Sequence, residues 1–368
     1  MTSTWNVPAA GPLAGVKVLE FGAIGPVPYA AMLLADMGAD VVHIARPGRA
    51  RDPAQEPLLR GRRLIVLDLK REEQQRIAFD LVKAADVLLE GNRPGVMERL
   101  GLGPEPSLAQ NPRLIYGRMT GWGQDGPLRD TAGHDINYIA LAGALHAIGP
   151  AGGAPVPALN LLGDYGGGGM LMAFGVAAAL FETQRSGKGQ VIDAAMVDGV
   201  ASLMTQYCGM LRQGKWSPRR GENHFDGGTP WYAVYATADA RHVAVGAIEE
   251  PFWMDLLARL ELAPESLPAR TDVNSWPAIR QALQSRFSER TRDAWTRHFA
   301  GSQACVTPVL DLGEVHEDPH VAARASFVLN GGHLEPAPVP RFSRTPGRIR
   351  PSRAGDDTTT EVLRDWSV

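Results

Sequence analysis

Cysteine is scarce: Cys208 and Cys305 are the two in 368 residues. Two thiols make no disulfide framework, which fits a reducing compartment and leads us to expect a cytoplasmic protein. No CxxC or HExxH occurs, so the sequence offers no zinc motif and no metal is expected. An excess of one charge is lacking as well. Basic residues number 37 against 40 acidic ones, a net charge of −3. That balance gives no electrostatic case for nucleic acid or an anionic membrane. Met1–Ala10 carries no basic side chain and no apolar core, so no signal peptide is expected. The longest apolar region, around Val176–Phe181, is broken by glycines and bounded by Asp164, Glu182 and Arg185. It reads as a buried helix rather than a membrane span. A dinucleotide fingerprint is also missing. Gly22–Pro28 follows the first apolar run without a GxGxxG pattern, and its prolines remove amide donors that a pyrophosphate would use.

What is present is an α/β pattern. Gly15–Gly22 is a β-branched run ending in glycine, the mark of a buried parallel strand. Pro26–Met37 reads as a helix with prolines near its start and Gly38 at its end. Asp40–Ala45 is a second strand, completing a βαβ unit. A strand over Leu64–Leu69, a helix over Glu72–Ala84, and strands at Asp86–Leu89 and Arg113–Gly117 continue the series. The expected fold class is α/β, with a Rossmann-like doubly wound large domain. Residues 204–228 turn irregular and read as a linker crossing a surface. Trp231–Ala236 and His242–Ala247 alternate like a hairpin, and helices follow at Pro251–Leu262, Trp276–Phe287 and Thr291–Ala300. The expected division is a large domain over 1–203, the linker, a smaller α+β domain over 229–312, and a return segment over 313–368.

Arginines cluster where strands meet loops: Arg46, Arg60, Arg62, Arg63 and Arg93. Ligands of open α/β sheets collect outside the strand carboxyl ends, and arginine suits phosphate. Each arginine taken singly reads equally as a solvated side chain. Two runs suggest proton chemistry. Gly133-His134-Asp135-Ile136-Asn137-Tyr138 sets an imidazole between a turn and an apolar segment. Gly163-Asp164-Tyr165 sets a carboxylate ahead of four glycines, read as a loop leading into a helix. Asp164 also fits a plain N-cap, and His134 a histidine satisfied by turn backbone. Glu249 and Glu250 follow the second hairpin strand and precede Pro251, where a glutamate is ordinarily a favourable dipole charge. Cys305, in Ala304–Val309, reads as a packed strand cysteine.

The combination resembles a known family. Gly11–Glu20, Leu34–Val42, Asn111–Tyr116, Gly133–Tyr138, Gly163–Gly169, Gly187–Asp193, Val245–Glu249 and Ala304–Val309 together are similar to the family III CoA-transferase (CaiB/BaiF) superfamily. The Gly133–Tyr138 and Cys305–Pro308 runs are similar to its α-methylacyl-CoA racemase branch. The resemblance implies an interlocked homodimer, an acyl-CoA substrate, and no cofactor beyond the CoA that the substrate carries. It implies His134, Asp164 and Glu249 as catalytic residues. It implies CoA or substrate contacts at Arg46, Leu67, Asp68, Leu69, Lys70 and Arg93, and around the histidine at Gly133, Asp135, Ile136, Asn137 and Tyr138. Two departures stand out: Ala45 precedes Arg46, and Glu250-Pro251 follows Glu249, leaving either glutamate to face the histidine.

The implied activity is epimerisation next to a thioester. One group removes the α-hydrogen from one face and a second returns a proton to the other. The enolate oxygen then needs aimed donors, expected from amides at the start of a helix at Gly166. The alternative is CoA transfer, in which an aspartate attacks the thioester. The length of the acyl chain, branched fatty or sterol, is open.

Overall fold

The computed structural model describes residues 10–48, 56–350 and 357–368. The chain forms two compact units. The first comprises the described residues up to Gly143, Ala158–Met204, and the chain from His320 onward. At its centre lie six parallel strands: β1 (Lys17–Phe21), β2 (Asp40–Ala45), β3 (Arg62–Val66), β4 (Val87–Glu90), β5 (Ile115–Thr120) and β6 (Gln190–Ala195). Their order is β3-β2-β1-β4-β5-β6, so the direction of winding reverses between β1 and β4. That reversal opens a crevice beyond the carboxyl ends of β1 and β4, where open α/β sheets place ligands.

Strands β1, β2, β4 and β5 are buried on both faces, as their apolar runs require, whereas the edge strand β6 is largely exposed. Val18 joins the core on one face and Leu19 and Phe21 the core on the other, following the period of two. Helix α1 (Pro26–Asp36) covers the first face, together with the later helix α7 (Leu171–Ser186). Helix α2 (Glu72–Ala84), through Ala78, Leu81 and Val82, covers the second with the C-terminal helix Thr359–Trp366. Short helices α3 (Val96–Arg99) and α4 (Pro104–Gln110) lead to β5, and α5 (Asp135–Leu141) follows it. Helix α8 (Met196–Leu203) leaves β6.

Three of the clustered arginines are structural. Arg62 and Arg63 open β3 rather than close it, and with Arg60 they are buried. Arg60 donates to Asp36 at 2.6 Å and to Glu335 at 3.0 Å. Arg62 donates to Glu20 at 2.5 Å, and Arg63 pairs with Asp40 and with Asp365. A buried guanidinium needs such partners, so these three are committed to the fold and not to a phosphate.

The second unit comprises Ala144–Pro157 and Thr205–Pro319. It contains α6 (Ala144–Ala147) and α9 (Thr205–Arg212), the latter a helix within the stretch expected to be irregular. Strands β7 (Tyr232–Ala236), β8 (His242–Gly246) and β9 (Val306–Pro308) form an antiparallel sheet. Helices α10 (Glu250–Arg259), α11 (Trp276–Phe287) and α12 (Arg292–Phe299) pack on it around Trp231, Tyr235, Trp253 and Trp295. Cys305 is exposed at φ 51° just before β9, so it is not the packed strand cysteine its neighbours suggested.

The helix continuous from Leu161 to Ser186 is long and apolar enough to cross a membrane by length and composition alone, with 39% of its apolar window buried. Met172, Val176 and Ala179 are buried on one face, whereas Phe174 and Phe181 are about two-thirds exposed. The expected burial therefore holds for one face only.

Candidate active site

A cavity of about 570 Å³ lies in the first unit at the point where strand order reverses. The loop after β1 and the start of α1 supply Gly25 and Pro26, and the loop after β4 supplies Asn92 and Arg93. The chain after β5 supplies Trp122, Arg129, Gly133, His134 and Tyr138, and the segment before α7 supplies Asn160, Asp164 and Tyr165.

His134 caps the start of α5 with extended backbone, φ −133°. The Asn137 side chain accepts a hydrogen bond from the His134 amide at 3.1 Å, which fixes the turn beneath the imidazole. The Tyr138 hydroxyl donates to the Gly133 carbonyl, and its ring meets Trp122 edge-on at 4.9 Å. A Cβ at Gly121 would come within 2.1 Å of that ring, so only glycine lets Tyr138 lie there.

Asp164 is held by a different element. It lies inside a helix, not at its cap: residues Leu161–Met170 form a π-helical stretch that runs into α7. Wide turns of this kind are frequent at functional sites. The four glycines admit close neighbours. A Cβ at Gly199 of α8 would fall 1.9 Å from the Gly167 carbonyl, and one at Gly169 would fall 2.7 Å from the Pro26 carbonyl. The loop expected ahead of the glycines is thus replaced by helix packed between α1 and α8, because tertiary contact outweighs the poor helix propensity of glycine. Asn160 donates to the Asp164 carboxylate at 3.2 Å. Burial raises the proton affinity of Asp164, the Asn160 hydrogen bond lowers it, the Asp135 charge raises it, and a charged His134 lowers it.

Asp135 joins the two arms. One carboxylate oxygen accepts the amides of Gly163 at 2.6 Å and Asp164 at 2.8 Å. Its side chain is buried and turned to the backbone of the π-helical segment, not to the cavity. Those two amides are therefore spoken for, and Gly166 lies within the helix, so the donors expected at a helix start at Gly166 are not there.

Of the residues expected to touch substrate, Arg93, Gly133, His134, Tyr138 and Asp164 line this cavity. Ile136 and Asn137 face outward on α5. Arg46 is exposed beyond β2, and Leu67–Lys70 follow β3 at the same carboxyl edge without lining the cavity. Leu67 is buried, and the Asp68 amide donates to Gln74 at 2.6 Å. Glu249 belongs to the second unit, where it caps α10. Sequence reading missed Asn160, Trp122 and Arg129 as cavity residues. Asn160 stands four before Asp164, a spacing that signals contact only once the segment is known to be helical. Among the described residues, no group of three or more His, Cys, Asp or Glu side chains could hold a metal.

The profile of CoA-transferase family III matches residues 13–358. The chain belongs to that family. Two family III relatives are the alpha-methylacyl-CoA racemases of Mus musculus and Homo sapiens, 45% and 44% identical over 359 residues. Each alignment covers 96% of this chain and 93% of the relative. A crystal structure of a CAIB/BAIF family protein from Brucella suis matches with a TM-score of 0.84 at 24% identity, covering 97% of this chain and 100% of that one. That likeness supports the fold of a family III protein with a central parallel sheet.

Proposed function

We propose that this family III enzyme inverts the α-carbon of 2-methylacyl-CoA thioesters by proton transfer at two faces. The observation that carries the reading is that His134 and Asp164 line one cavity from separate elements, α5 and the π-helical segment. The high identity to two proteins named as racemases favours this activity over CoA transfer.

In this mechanism one of the pair takes the α-hydrogen and the other delivers a proton from the opposite side. Each contributes about 10²–10⁴-fold. Burial suits Asp164 to the task, because raised proton affinity makes a carboxylate a stronger base toward the α-hydrogen. Glu249 is proposed as a third catalytic residue. Arg46, the Leu67–Lys70 turn and Arg93 hold the CoA portion along the carboxyl edge of the sheet, and CoA is part of the substrate.

The enzyme is read as an interlocked, cytoplasmic homodimer with a Rossmann-like large domain. The exposed apolar face of α7, through Phe174 and Phe181, supports a subunit contact. Incubation with one epimer in heavy water, followed by chiral analysis, tests the activity. Deuterium should enter the α-position and both epimers should appear without any acceptor acid. CoA passing to an added acid, with no deuterium uptake, would establish the acyl-aspartyl route at Asp164 instead.

A further inference from the structure

Of the arginines clustered where strands meet loops, Arg60, Arg62 and Arg63 are buried in ion pairs. Arg93 is different. It is exposed and lines the cavity from the loop between β4 and α3. Among the described residues its guanidinium has no hydrogen bond or ion pair. An uncommitted cation beside a cavity at the carboxyl edge of the sheet fits an anionic group of a ligand.

The loop that carries Arg93 is held at both ends. Strand β4 ends in Glu90, which is buried. One of its carboxylate oxygens accepts the Asn92 amide at 2.7 Å, and the other accepts Arg118 Nε at 3.1 Å. Arg118 stands opposite Glu90 in the register of β5. Its Nη1 pairs with Glu98 of α3 at 2.9 Å. One guanidinium thus joins the residue before the loop to a residue after it. Between these ends, a Cβ at Gly91 would fall 3.0 Å from side-chain carbons of Ala23 and Val27. Gly95 enters α3 at φ 80°, a conformation that glycine favours. The Arg93 carbonyl accepts the Val96 amide at 3.1 Å.

Arg118 also differs from the arginines committed to the fold. Arg60 and Arg62 place every guanidinium nitrogen on an acceptor. Arg118 leaves Nη2 buried with no acceptor among the described residues. A buried donor without a partner weakens the fold, so stability alone does not account for an arginine at this position. Its bracketing of the loop does.

We propose that Arg118 is a positioning residue for substrate binding: through Glu90 and Glu98 it fixes the loop that presents Arg93, and so sets where an anionic group of the acyl-CoA is held. The proposal rests on the reading in which Arg93 binds that group. Arg118 does not itself line the cavity, so its effect on substrate passes through Arg93.

Arg118→Lys keeps a cation beside Glu90 and loses the fork that spans to Glu98. In the full-length enzyme it should raise KM for a 2-methylacyl-CoA and Kd for free CoA about tenfold, with kcat at saturation nearly unchanged, the signature of lost uniform binding. Glu98→Ala removes one end of the bracket from a half-exposed position. It should act in the same direction to a smaller extent, and it carries the test if Arg118→Lys does not fold. Arg93→Ala should raise both constants, and adding Arg118→Lys to it should raise them no further, because the two act through one contact. Wild-type KM and Kd in both Arg118→Lys and Glu98→Ala overturn the proposal. So does a fall in kcat with KM unchanged, or a full additional loss in the double variant, since Arg118 would then act by another route. Wild-type constants in Arg93→Ala remove the reading of Arg93 itself, whereas an Arg93→Ala defect beside unaffected Arg118 and Glu98 variants removes only the positioning claim.

Discussion

Asp164 takes its raised proton affinity first from burial, and its neighbours then pull it both ways. Asn160 stabilises the carboxylate by a hydrogen bond, and Asp135 opposes it by charge. The other titratable groups facing it are His134 and Tyr138 on α5, while α1 meets it with Gly25. Two variants should therefore move the enzyme in opposite directions. Asp135→Asn keeps an acceptor for the Gly163 and Asp164 amides and loses the charge, so the acid limb of kcat/KM, where Asp164 is the base, should shift to lower pH. Asn160→Ala loses the hydrogen bond, so that limb should shift to higher pH. Measured pH–rate profiles that move together, or not at all, would contradict this account of Asp164. The residues themselves were legible: an imidazole and a carboxylate at element edges are visible without coordinates. Their supports were not. Asp135 binds amides 28 and 29 residues away, and that pairing exists only after α5 and the π-helical segment come together.

The π-helical segment begins at Leu161, where sequence reading set a loop before a helix starting at Gly166, and runs on through four glycines of a kind that ordinarily break helices. Packing reverses that preference, since glycine is what lets Gly167 and Gly199 touch backbone to backbone. Gly199→Ala should cost about 1–3 kcal/mol by overpacking and should lower exchange activity in the folded fraction, because the strain passes to the helix that carries Asp164. Thermal melting combined with kcat per folded molecule checks both. Elements governed by local pattern were read well: α2 and α11 begin and end where their apolar period and flanking residues place them. The arginines of β3 show the opposite case. Arg62 lies 42 residues from its partner Glu20. There burial pushes the Glu20 carboxyl up, but Arg62 and His43 outweigh it and hold it at about 2 against an ordinary 4.5. A depressed folded value stabilises above the unfolded one, so this contribution is full above pH 4.5 and fades as pH falls toward about 2. Glu20→Gln should lower the melting temperature at neutral pH and flatten its dependence across that window. An unchanged acid slope would remove Glu20 as its source.

At the scale of the whole chain, composition and strand pattern were enough for an α/β fold with a parallel sheet, because buried parallel strands write themselves as continuous apolar runs. The strand order could not be read that way, since each crossover has the same local sequence signature whichever neighbour it reaches. The proposed homodimer is assigned to the exposed side of α7. Phe174→Glu with Phe181→Glu should shift sedimentation from dimer toward monomer, with loss of activity if each site needs its partner. A wild-type chain that sediments as an active monomer at micromolar concentration would contradict the homodimer. The central claim is that His134 and Asp164 serve opposite faces of one carbon, and α-hydrogen exchange in heavy water by His134→Ala and Asp164→Ala, followed separately for the 2R and 2S thioesters, tests it most directly. Both variants should lose epimerisation, while each keeps exchange with retention for one epimer, a different one in each. Equal loss of exchange for both epimers in both variants, or surviving epimerisation in either, would contradict the two-face assignment.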